Sequence, residues 1–143
     1  MYSLELGGLR AGAASGESLT SAAVISRFMV MVPKVTVDMI AFAIKTATVS
    51  TGNIVVAFKK RPTVGSATGE STIGSLTIPT GIAAGNVYYK NISPVSFEIG
   101  EELVVEVTTA AAGGGAAGDG FSLFKASYSA EQLANISDAV ASA

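Results

Sequence analysis

The stretch Lys34-Val35-Thr36-Val37-Asp38-Met39-Ile40-Ala41-Phe42-Ala43-Ile44 alternates with a period of two. In an extended chain, successive side chains point to opposite sides. Val35, Val37, Met39, Ala41 and Ala43 therefore share one face, and Thr36, Asp38, Ile40, Phe42 and Ile44 the other. The beginning has one polar face and the middle is apolar on both. This pattern predicts a strand whose centre crosses the core of a β-sandwich.

Working outward, residues 27–32 are rich in β-formers and stop at Pro33, which cannot donate to a ladder in mid-sheet. On the other side, Ser50-Thr51-Gly52-Asn53 is a turn signal, followed by Ile54-Val55-Val56-Ala57-Phe58. The two strands read as a hairpin. Thr72 to Ile78 forms a further strand, closed by Pro79. Val87-Tyr88-Tyr89 reads as a short edge strand, and Val95, Phe97 and Ile99 mark another. Residues 103–108 return after the turn at Gly100-Glu101-Glu102. The Gly/Ala run over 110–118 fits a loop at a sandwich tip, where insertions cost little closure entropy. Residues 120–128 form the last strand.

Seven or eight strands punctuated by Gly and Pro, with little helical period, predict an all-β antiparallel sandwich. Eight strands would make it a jelly roll. The expected organisation is an N-terminal arm over 1–26 with a short helix over 17–25, a sandwich over 27–128, and a C-terminal arm over 129–143. The arms are expected to be extended and docked on a neighbouring chain. Tyr2, Leu4, Leu6 and Leu9 at one end, and Leu133, Ile136 and Val140 at the other, are their apolar anchors and the candidate partner contacts.

Composition supports a covered subunit. Charged residues are 14% of the chain and hydrophobic residues 49%, with a mean hydropathy of +0.50. Globular chains carry about a quarter charged residues. A surface this poor in charge points to burial against a partner, and to a homo-oligomer, dimer or trimer. The net charge of −2 offers no basic field for a phosphate backbone, so no nucleic acid is expected. The one basic run, Lys59-Lys60-Arg61, reads as a solvated turn. The longest uncharged stretch, 71–89, contains Pro79, several glycines and many hydroxyls, and no membrane segment is expected from it. Residues 1–6 carry an early acid and no basic region, unlike a secretory signal.

There is no histidine and no cysteine. That removes His-activated nucleophiles, His- or thiolate-bound zinc and thiol chemistry. The Gly113-Gly114-Gly115 run lacks the Lys-Ser/Thr of a phosphate loop. Glu98, Glu101, Glu102 and Glu106 cluster around one turn. A carboxylate hydrolase would need Glu98 and Glu106 to face each other at about 5–10 Å; the plainer reading is a solvated face. The same acids with Asp119 match no calcium loop. No catalytic residue, cofactor, metal or small-molecule substrate is expected. Of Tyr88 and Tyr89, one is expected to pack inside and the other to cover the rim. Met29, Met31 and Met39 are expected in the core.

Three strings carry a resemblance: Val-Thr-Val-Asp-Met-Ile-Ala-Phe at 35–42, Gly-Ser-Leu-Thr-Ile-Pro-Thr-Gly at 74–81, and Pro-Val-Ser-Phe-Glu-Ile-Gly-Glu-Glu-Leu at 94–103. Over about two-thirds of its length, the chain resembles the jelly-roll cement or decoration proteins of tailed bacteriophage capsids. The resemblance implies a virion protein on the outer capsid surface, assembled in the host cytoplasm. Its partner would be the major capsid protein, whose neighbouring subunits it would bridge to lock the shell. Similar strings occur in fibre and carbohydrate-binding domains, and a carbohydrate-binding or fibre-head module is the alternative expectation. Such a module would need a platform of exposed aromatics, and aromatic residues are 7% of the chain, with no Trp.

Overall fold

A computed structural model describes residues 2–7, 16–31, 33–113 and 118–128 of the chain. Its elements are β1 (Tyr2–Gly7), β2 (Glu17–Ser18), β3 (Val24–Met29), β4 (Lys34–Thr46), β5 (Ile54–Arg61), β6 (Ser71–Ile78), β7 (Val87–Glu98), β8 (Glu102–Thr109) and β9 (Asp119–Tyr128). One sheet has the order β1-β9-β4-β7, with β2 also pairing β9; the other has the order β3-β8-β5-β6. Every pairing is antiparallel.

β1 runs along β9 from Tyr128 to Leu123, and β2 continues along it at Gly120 and Asp119. Together they occupy one edge position beside β9, so the nine elements fill eight strand positions. Two four-position sheets, with the chain crossing between them at almost every connection, are a jelly roll. Among the described residues, β5 and β6 are the one pair of consecutive strands that lie side by side in a sheet. The expected antiparallel sandwich and its jelly-roll form are thus observed.

Four local expectations change. Residues 17–25 hold β2 and the start of β3, with no helix. The predicted edge strand at Val87 and the strand at Val95 are one continuous β7. This strand tolerates Pro94 because it lies at a sheet edge, beside a register shift. β4 and β5 do not form a hairpin; they lie in opposite sheets. The connection over 47–53 spans the sandwich end because other loops satisfy it. The Thr48 amide donates to the Ile82 carbonyl at 2.9 Å, and the Ala112 amide donates to the buried Ser50 hydroxyl at 2.9 Å.

The fourth change concerns the strand that predicted the fold. The ladders on both sides of β4 shift register between Val37 and Met39, a β-bulge at Asp38. A bulge adds one residue and reverses which parity faces inward. The core face therefore runs Val35, Val37, then Ile40, Phe42 and Ile44, all buried. Met39, Ala41 and Ala43 turn outward. The apolar middle of β4 reflects a core face plus a second, uncharged outer face.

The core between the sheets is filled by Phe42, Phe58 and Phe97 with Ile40, Ile54, Val56, Ile78, Leu103, Val105 and Val107. Phe28 and Phe124 meet edge to face, with ring centroids 4.9 Å apart. Leu19 closes one end: its amide donates to the Gly118 carbonyl, and its carbonyl accepts from Ala111.

Candidate interaction surface

The two outer faces of the sandwich differ in chemistry. On β5, side chains 54, 56 and 58 enter the core, so Ala57, Lys59 and Arg61 point outward. On β8, Leu103, Val105 and Val107 enter the core, and Glu102, Val104 and Glu106 point outward. The register places Lys59 opposite Val104 and Arg61 opposite Glu102. Lys59 is held between Glu106 and Glu70, and Arg61 Nε donates to Glu70 at 2.9 Å. Glu102 is buried; it accepts from the Gly65 amide at 3.0 Å and lies near both Arg61 and Arg27.

The basic run is therefore not a solvated turn. Lys59 and Arg61 lie on a central strand, and acids from β8 and the loop over 62–70 surround them. Val104, though on the outer face, is fully buried between Arg27 and Lys59 in the ladder. The hydrogen bonds that Lys59 donates to Glu106 and then to Glu70 raise its pKa above the ordinary value. Hydrogen bonds from Lys59 and then Arg61 hold Glu70 below the usual carboxylate value. Lys60 points the other way, reaching across the sandwich mouth to donate to the Ser96 carbonyl at 2.6 Å, beside Glu101 and 5.3 Å from the Phe97 ring centroid.

The outer face of the other sheet is uncharged over the middle of β4 and the parts of β7 and β9 beside it. Ala41 stands between Tyr89 and Leu123, and Ala43 between Val87 and Phe121. Met39, Ala41, Val87, Tyr89, Leu123 and Phe124 line a depression of about 300 Å³. Tyr89 is 67% exposed and Val87 53% exposed. Charges gather toward one end of this face, where Lys125 lies 3.8 Å from Asp38 at the bulge and the register sets Lys34 opposite Glu98. A second exposed apolar group sits at one end, where Met29, Met31 and Ile99 flank the turn tied by Val30, Gly100 and Glu101. Met29 and Met31 are thus surface residues rather than core, because β3 ends at Met29 and the chain turns at the sandwich tip. Met39 lies on the outer face, placed there by the bulge.

The sequence-derived contacts distribute as follows. Tyr2, Leu4 and Leu6 lie on β1, whose backbone pairs with β9 of the same chain. Leu9, Leu133, Ile136 and Val140 lie outside the described residues, as does the whole C-terminal arm over 129–143. Glu98 and Glu106 are not brought together: Glu98 is on β7 and Glu106 on β8, in opposite sheets. Of the tyrosine pair, Tyr88 packs against the core and Tyr89 is exposed, as expected.

One buried polar pair escaped sequence reasoning. The Glu17 carboxylate, 5% exposed, accepts from the Ser122 hydroxyl at 2.7 Å and lies beside the Ser122 amide. In sequence, Glu17 reads as the start of a short helix over 17–25, which carries no sign of this partner. The contact forms because β2 and β9 meet.

No protein-family model and no curated protein matches the chain in sequence. Among solved structures, it is similar to a chain in the "Structure of infectious bursal disease virus Gx strain". The TM-score is 0.39 and the identity 12%, over 87% of this chain and 31% of that one. This chain spans less than a third of that chain's length.

Proposed function

We propose that the chain is a structural subunit of a virion, a cement protein that covers the outer capsid surface and bridges neighbouring major capsid subunits. One observation carries the reading: a jelly roll with one outer face laced by ion pairs and the other apolar over its middle, where a depression bears the exposed Tyr89 and Val87. A charge-laced face suits water; an uncharged face with exposed Tyr and Val suits cover by protein. In this reading the apolar face lies against the capsid and the ion-pair face is turned outward. Holding strength comes from many modest contacts repeated by symmetry, so avidity replaces a single tight site. The chain acts as a homo-oligomer, without catalysis, cofactor or nucleic-acid contact.

The test is shell stability. Particles stripped of the chain and then re-supplied with it should release their DNA at a higher temperature than stripped particles alone. A Leu123→Asp/Val87→Asp variant should not restore the shift. Equal release temperatures with and without the wild-type chain would contradict the reading.

The same depression favours one alternative, a carbohydrate-binding or fibre-head module in which Tyr89 is the stacking platform. Glycan-array binding lost in Tyr89→Ala would support it, and an array without hits would remove it.

A further inference from the structure

We infer that β6 is a pairing edge for a second copy of this chain, joining two β3-β8-β5-β6 sheets across a two-fold axis. The sandwich has four sheet edges: β1 with β2, β7, β3 and β6. Three carry the devices that block strand addition. The first edge is shared by two separate strands, β1 and β2, and the β1 sequence includes Glu5. β7 bears Lys90 and Pro94 beside a register shift. β3 bears Arg27 and a register shift between Val24 and Ser26.

β6 has no charge and no proline, and among the described residues it pairs only with β5. Its one irregularity lies at the N-terminal end, opposite Phe58 and Lys59; from Gly74 to Ile78 the ladder is regular.

That regular stretch fits itself. In antiparallel pairs, directly opposite residues share a face, so a self-pairing strand has its two-fold axis on a residue. Centred on Leu76, Gly74 faces Ile78 and Ser75 faces Thr77 of the other copy. Ser75 and Thr77 are exposed on the outer face, while Leu76 and Ile78 are buried toward the core. The pairing thus sets hydroxyl opposite hydroxyl outside and continues the apolar layer inside. With no charge on the stretch, a copy is not repelled from its twin. The interface is isologous and closes at two. This inference concerns the free chain and does not rest on the capsid reading.

The experiment is sedimentation velocity on the full chain over a wide concentration range. The expected mass is about twice 14.3 kDa. Ser75→Lys/Thr77→Lys, which sets like charges opposite each other, should sediment as a monomer with an unchanged near-ultraviolet spectrum. Ser93→Lys on the blocked β7 edge should remain dimeric. Because the chain has no native cysteine, Thr77→Cys with a nitroxide label gives a second reading. Strand spacing of about 4.8 Å and a rise of about 3.3 Å per residue put the two Thr77 backbones about 8 Å apart, and strong dipolar coupling is expected. A monomeric wild type, a dimeric lysine variant, or uncoupled labels would each overturn the pairing. A particle-bound chain that is monomeric when free would overturn this inference alone; a dimer that never joins particles would overturn only the capsid reading.

Discussion

At the scale of single residues, close approach decides what the fold tolerates. A Cβ at Gly120 would collide with the Ala43 carbonyl oxygen and come within 2.6 Å of the Phe42 ring. Backbone on the neighbouring central strand cannot yield as a side-chain tip does. Gly120→Ala is therefore expected to destabilise by at least about 1–3 kcal/mol, the range for overpacking a filled core, read as a lower urea midpoint. Ser122→Ala removes a hydroxyl that donates to the buried Glu17 carboxylate. A lost bond to a buried charged group costs about 1.5–3 kcal/mol, and Ser122→Thr should recover part of that loss. Phe42→Ala, at a fully buried position, should cost about 3–5 kcal/mol.

At the scale of elements, the ion-pair lattice on β5 and β8 gives stability a pH profile with two edges. Glu70 has a lowered pKa, so its contribution is complete above its ordinary value of 4.5 and is lost as pH falls through the folded value below that. Lys59 has a raised pKa, so its contribution is complete below 10.5 and is lost as pH rises through the folded value above that. Urea midpoints should decline in acid and again in strong alkali. Glu70→Gln should soften the acid decline, and Lys59→Met the alkaline one. Both effects should shrink in high salt, since these side chains are partly exposed.

The same elements show what local sequence conveys. Strand positions were legible for β4, β5, β6, β8 and β9 because alternation and Gly/Pro punctuation are local signals. The bulge at Asp38 was not, because a period of two carries no mark of one inserted residue. The partners of Lys59 and Arg61 were not legible either, since Glu70, Glu102 and Glu106 reach them only through folding. A jelly roll pairs strands far apart in the chain, and so the turn at Gly52 read as a hairpin when it lies within a connection between sheets.

At the scale of the whole molecule, the two sheets present different outer faces. One outer face is closed over by its own ion pairs, with even Val104 beneath them. The other leaves Tyr89 and Val87 in the open beside an apolar depression. The low charge count pointed to a covered subunit. It carried no sign of which face a partner would cover, because the asymmetry depends on the bulge in β4 and on which strands became neighbours. The reading as a capsid subunit is tested most directly by density-gradient fractionation of infected cells that produce the chain, probing each fraction for it. The account predicts that the chain bands with intact particles and that surface protease removes it without opening them; a chain found only at the top of the gradient, apart from every particle fraction, would contradict it.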